Sequence, residues 1–194
     1  MINKDKFTEK RPPTQVAGLL PEDSNIEFYA VTENKRVVWL QNGRTLDWHY
    51  LPEWIFKLCK NQYKKDIKAV EDLSQITTNL NRQVELYVYY LYGDLDCTAD
   101  ILNGQLTASE NFRETKNDAS LSWNYKHITM GEAILTQRDI QIIDMILENL
   151  PDKAIASKMN IAHSTFDFHK RNLFKRANVG NKQELIIAAF NHHV

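Results

Sequence analysis

From Leu135 onward, apolar residues recur every three or four positions in four short blocks, and turn residues separate the blocks. That spacing places the apolar side chains of each block on one face of a helix. Thr136 suits an N-cap, and Asp139 three residues on makes a weak capping box. A first helix is expected over about 137–149, with Ile140, Ile143, Ile146 or Leu147, and Leu150 on its inward face. Pro151 prevents smooth continuation. Asp152 then caps a short second helix, Lys153–Met159, whose inward face is Ile155, Ala156 and Met159. After the turn Met159-Asn160-Ile161, a third helix starts near His163 and runs to about residue 176. Its buried stripe is Phe166, His169 or Lys170, Leu173 and Ala177. A fourth helix, Gln183–Phe190, presents Leu185, Ile186 and Ala189.

Two helices joined by so tight a turn cross at a steep angle. Ala156 is the small residue that allows the approach, Ile161 fills the turn, and Phe166 plugs the crossing. The opposite face of the third helix, with Ser164, Asp167, Phe168, Arg171 and Lys175, is left free. A major groove is wide enough to admit such a helix. The net charge is only −1, but Ala162–Lys182 holds Lys170, Arg171, Lys175, Arg176 and Lys182 against Asp167 alone. Positive charge gathered on one short segment is the footprint that a DNA backbone requires.

The string LTQRDIQIIDMILENLPDKAIASKMNIAHSTFDFHKRNLFKRANVGNKQEL resembles the LuxR-type (GerE) DNA-binding domain. Leu135, Thr136, Arg138, Lys153, Ile155, Ala156, Ile161, Thr165, His169, Asn172, Val179, Asn181, Glu184 and Leu185 match that pattern without a gap. The resemblance covers about a third of the chain. Four positions depart from it. The glycine after the first helix is Asn149, which can also take a left-handed turn, and a serine is Pro151. The N-cap serine of the recognition helix is Ala162, with Ser164 nearby to supply part of a cap, and a customary lysine is Asp167. The resemblance implies a sequence-specific transcription regulator. Arg171 is then the base reader, with Phe168 against a thymine methyl or packed on the rest of the protein. Asp167 repels phosphate but can accept from a cytosine amino group. Lys153, Thr165, Asn172 and Lys175 are phosphate contacts. The family usually acts as dimers, which makes Leu185, Ile186 and Ala189 dimerisation candidates, although the same residues would serve equally as core.

The remainder of the chain reads differently. Residues 1–24 lack periodicity and are expected to form a flexible tail. IEFYAV, RVVWL and RTLDW read as strands of a short meander, with Asn42-Gly43 as a hairpin turn. Pro52 opens a helical region, Ile67 to Leu80 keeps helical spacing, and RQVELYVYYLYG is helix by length although its composition suits a strand. Gly93 is a candidate C-cap, and about 93–131 is an irregular connector. The expected fold is mainly α: an N-terminal α+β lobe over 25–131, a short meander followed by helices, plus a four-helix domain over 132–194. The lobe is an input or oligomerisation domain, either docking a protein or sensing a small molecule. Its acidic residues do not follow the order of a phosphoreceiver, and the element order fits poorly with a PAS fold or an acyl-homoserine-lactone sensor.

Other residue classes point away from catalysis. There is no phosphate-cradling glycine loop, nucleophile elbow or HExxH, so no enzyme, cofactor or metal ligand is expected. Cys59 and Cys97 read as free thiols, with Cys97 a weak candidate redox sensor. Asp94, Asp96 and Asp100 lack EF-hand spacing and read as a solvated turn. His169 reads as a packing histidine, and His192 and His193 as an exposed terminus. Tyr87, Tyr89, Tyr90, Tyr92, Trp39, Trp48 and Trp54 form core or line a ligand pocket. No signal peptide or membrane span is evident, so a cytoplasmic protein is expected. Its partners are double-stranded DNA, a second copy, and an unknown signal. The competing reading is a non-enzymatic interaction or ligand-sensing module whose helix-turn-helix serves mainly in dimerisation.

Overall fold

Asn42 and Gly43 both have positive φ (51° and 71°), the conformation of a two-residue hairpin whose twist matches its strands. They pair β2 (Arg36–Gln41) with β3 (Arg44–Asp47), Leu40 opposite Thr45. β1 (Glu27–Val31) adds to the other edge of β2, giving an antiparallel sheet in the order β1-β2-β3. The computed structural model describes residues 15–194. The part of the expected tail over 1–14 lies outside the described residues. Residues 15–24 are not a loose tail: Ala17 is buried, Asn42 N donates to Asp23 O, and Gly43 N donates to Gly18 O. Gly18 has φ +72°, and a Cβ there would lie 2.6 Å from Leu40 O, so no larger residue fits the approach.

Three helices follow: α1 (Glu53–Lys65), α2 (Ile67–Ile76) and α3 (Leu80–Leu91). α3 is covered by the sheet on one side and by α1 and α2 on the other. A helix enclosed on several sides buries most of its surface, and VELYVYYLY is buried at every position except Tyr90. Asp66 is fully buried between α1 and α2. It caps α2 by accepting from Ala69 N, and it accepts from the amides of Asn124 and Tyr125. Glu85 of α3, also buried, pairs with Arg36 at 2.7 Å and Arg82 at 2.8 Å, pinning the helix to β2. The helix ends at Tyr92. Gly93 is required there by packing, since a Cβ would lie 2.6 Å from the Phe112 ring.

The stretch expected to be an irregular connector contains two minimal hairpins, β4–β5 (Ile101–Leu102, Gln105–Leu106) and β6–β7 (Thr129–Met130, Ala133–Ile134). Between them Trp123 stacks on Tyr87 with centroids 5.7 Å apart. Lys126 is buried and gives all three of its donors to the carbonyls of Tyr90, Glu110 and Phe112. Burial pulls the Lys126 ammonium down to about 8. The chain ends with α4 (Gln137–Leu147), α5 (Asp152–Lys158), α6 (His163–Arg176) and α7 (Lys182–Asn191).

Two hydrophobic clusters result, one drawn from residues 26–123 and one from residues 128–189. Tyr87, Tyr89, Tyr92, Trp39 and Trp48 belong to the first as packed rings, whereas Trp54 is half-exposed. Arg113 crosses between the clusters and grips Asp144 of α4 with two parallel hydrogen bonds of 2.9 Å. Lys116 bonds Glu148 at 2.6 Å beside it.

Candidate nucleic-acid interface

The start of α4 carries the capping box expected from sequence. Asp139 N donates to Thr136 Oγ1, and Thr136 N donates to Asp139 Oδ2. Asp139 also accepts from Arg176 Nη2 at 2.9 Å, which ties the first turn of α4 to the last turn of α6. Asn149 closes α4 with φ +58°, the left-handed conformation that replaces a glycine. Asp152 does not cap α5. Pro151 holds that position without a side-chain bond, and Asp152 is the first helical residue. Its carboxylate receives Lys182 at 2.5 Å and also Lys170. Burial alone would raise the Asp152 carboxyl, but the two lysine hydrogen bonds outweigh it and hold the group below the usual carboxylate range.

α5 and α6 meet as their residue sizes require. Ala156 is buried at the crossing, and Phe166 is fully enclosed against it. Asn160 turns the chain with φ +52°, and Ile161 N donates to Ala156 O at 3.0 Å. Leu173 completes the inward stripe of α6. His169 is half-buried, and its Nε2 lies 3.0 Å from Arg138 Nη1, so it links α6 to α4 as a packing histidine. Lys170 is half-buried, with its ammonium 5.4 Å from the Phe166 ring.

The other face of α6 is open. Ser164, Thr165, Phe168, Arg171, Asn172 and Lys175 are exposed, as is Lys153 at the start of α5. Phe168 is 56% exposed, so it does not pack on the N-terminal lobe. Asp167 is half-buried, and its carboxylate lies 3.1 Å from His163 Nδ1 and 3.3 Å from Lys170 Nζ. Lys170 answers its charge locally. Ser164 supplies no cap. Ala162 is the N-cap and no side chain bonds the first turn. The amides of that turn therefore face outward beside Thr165, an arrangement suited to an anion.

The ion pairs divide the basic cluster into two kinds. Lys170, Lys182 and Arg176 are engaged by Asp152, Asp167 and Asp139. Lys153, Arg171 and Lys175 have no carboxylate partner among the described residues. Sequence counting weighs all of these cations alike, and the structure does not.

Residues 133–189 match the family described as bacterial regulatory proteins, luxR family. This segment is a LuxR-type helix-turn-helix domain. It is similar to the HTH-type transcriptional regulator MalT of Vibrio campbellii, at 35% identity over 57 residues, and equally to MalT of Vibrio parahaemolyticus. Those matches take in 29% of this chain and 6% of each relative. The monoamine regulon transcriptional regulator of Klebsiella aerogenes is 39% identical over 54 residues, 28% of this chain and 24% of that protein. The chain thus matches only a small part of the length of these relatives. No solved structure matches it significantly.

Within the LuxR-type domain, Leu185 and Ala189 of α7 are fully buried in the domain's own core, and Ile186 is half-buried. Leu185 and Ala189 are thus closed to a partner, which corrects their reading as dimerisation residues. The exposed apolar residues of α7 are Ile187 and Phe190, at 59% and 72%. Helical spacing alone could not say which side of a short, largely apolar helix faces in. Cys59 is buried and Cys97 half-buried, and both are free. Burial pushes the Cys59 thiol up to about 12, which leaves it unreactive. No helix among the described residues is long and apolar enough to cross a membrane.

Proposed function

We infer that the chain is a sequence-specific, DNA-binding transcription regulator that lays α6 in the major groove, and that it is not an enzyme. The observation that carries this reading is the outward face of α6 in the LuxR-type domain. Arg171 and Lys175 stand exposed without carboxylate partners, beside an uncapped helix N-terminus. Arg171 bonds a guanine edge bidentately, a pair worth about 1–3 kcal/mol of discrimination. Phe168 meets a thymine methyl. Lys153, Thr165, Asn172 and Lys175 hold phosphates, and Ser164 lies beside the first-turn amides that receive another. Asp167 orders α6 through His163 and Lys170 rather than reading cytosine, because its carboxylate is already engaged.

Residues 25–131 act as the input or docking unit and 132–194 as the reading head. The regulator works as a homodimer through the exposed Ile187 and Phe190 of α7. A helix-turn-helix that served mainly in dimerisation would present an apolar face on α6, and the outward face of α6 is polar except for Phe168. Selection of bound sites from random duplex DNA by the full-length chain tests the proposal. An enriched motif with two half-sites, bound less tightly as salt rises, supports it. Recovery of unselected sequence, or binding indifferent to salt, refutes it.

A further inference from the structure

Glu27 sits in β1 within the string IEFYAV, and it is 0% exposed. Its Oε1 accepts from Asp96 N at 2.9 Å, while its Oε2 is buried without any hydrogen-bond partner. Glu110 approaches from the other side. Its Oε2 accepts from Asp94 N at 2.7 Å, and its Oε1 is likewise buried and unpartnered. Asp96, held by the Thr98 amide through Oδ1, completes a triad. One ligand oxygen from each of Glu27, Asp96 and Glu110 lies within 4.8 Å of the others. Asp100, buried and bonded to Phe28 N, stands behind them.

Carboxylates gathered away from water need a counter-charge or a proton. No lysine or arginine among the described residues pairs with Glu27, Asp96, Asp100 or Glu110. The nearby buried ammonium, Lys126, spends its donors on three backbone carbonyls. Burial, with the repulsion of the neighbouring carboxylates, raises both the Glu27 and the Glu110 carboxyl. The cluster opens into a cavity of about 430 Å³ lined by Asp94, Asp96, Asp100, Asn111 and His193. Access from solvent is therefore available.

We propose that Glu27, Asp96 and Glu110 bind a hard divalent cation, calcium by the number of carboxylates it is offered. Three carboxylate oxygens select hard ions over zinc or copper. Calcium takes six to eight oxygen ligands, several of them carboxylates, whereas magnesium keeps most of its waters and takes one or two carboxylates. The cavity provides room for the waters that fill the remaining positions. The cation's charge answers the orphaned Oε2 of Glu27 and Oε1 of Glu110 together.

The test is calcium titration of the chelator-stripped full-length chain, followed by calorimetry and by the thermal midpoint, with magnesium and manganese in parallel. One saturable site, a midpoint that climbs with calcium, and a weaker response to magnesium are expected. Asp96→Asn and Glu110→Gln, checked for native circular dichroism, should remove the calcium-dependent shift. Asp96 is half-exposed, so its substitution spares the fold if Glu110→Gln does not. No saturable binding of any of the three ions at millimolar concentration overturns the proposal, because protons then satisfy the cluster. Undiminished binding in folded Asp96→Asn and Glu110→Gln also overturns it.

Discussion

The division of basic residues into engaged and free can be read from the salt dependence of DNA binding. Each phosphate neutralised by a cation releases counterions, and the slope of log K against log salt is about −0.9 per contact on B-DNA. Lys153, Arg171 and Lys175 are unpaired, and Arg171 is assigned to a base edge. Two to three cations per domain then face phosphate, which gives a slope of roughly −2 to −3 per bound domain. If Lys170, Arg176 and Lys182 also reached the backbone, six cations would act and the slope would be roughly −5. The perturbations are Lys175→Ala and Lys170→Ala. Lys175→Ala should flatten the slope by about 1 and weaken all sequences alike. Lys170→Ala should leave the slope near the parent value and lower stability instead, since its ammonium holds Asp152 and Asp167. Fluorescence anisotropy of a labelled duplex from 50 to 200 mM salt, with stoichiometry fixed by titration at high concentration, is a sufficient assay. A parent slope near −5 per domain, or equal flattening by the two variants, would refute the assignment.

Three further outcomes follow from packing and linkage. Arg113→Ala leaves the buried Asp144 without its bidentate partner and should cost about 3 kcal/mol by chemical denaturation; a loss under about 1 kcal/mol means that the pair is solvated. Asn149→Gly should be neutral or slightly stabilising, whereas Asn149→Ala should cost about 1 kcal/mol, because φ is +58° there and Ala resists left-handed backbone. Asp152 is held below its ordinary value in the folded state, so the stability it contributes is present above pH 3.8 and lost as pH falls through the folded value. Acid unfolding of Asp152→Asn should lack that component, and an unchanged acid limb would count against the Lys170–Asp152–Lys182 hub.

The parts of the fold that were legible in the sequence are those decided within a few residues. Asn42-Gly43 sets its hairpin by backbone chemistry alone, and Thr136 with Asp139 sets the start of α4 in the same way. Helical spacing located α4 to α7 within one or two residues of their observed ends. What remained hidden depends on partners far away in sequence. Trp123, Lys126 and Arg113 organise the 93–131 stretch by reaching Tyr87, Tyr90 and Asp144, and none of those contacts leaves a periodic trace. Asp100 read as part of a solvated turn and is buried. Glu27 hid inside an apolar strand, where a single acidic letter carries no sign that it meets Asp96 and Glu110. The outward face of α6 was legible as positions. Which of its cations are free was not, because Asp152 read as a cap and is the anchor of two lysines.

α4 joins the two halves of the molecule as a short crank. Asp144 is gripped by Arg113 from the N-terminal side, and Asp139 grips Arg176 at the far end of α6. The two carboxylates are five residues apart, about 7.5 Å along the helix axis, and they project from different sides of it. The segment around Arg113 and Lys116 is thereby tied, within two helical turns, to the C-terminal end of α6, the helix proposed to read DNA.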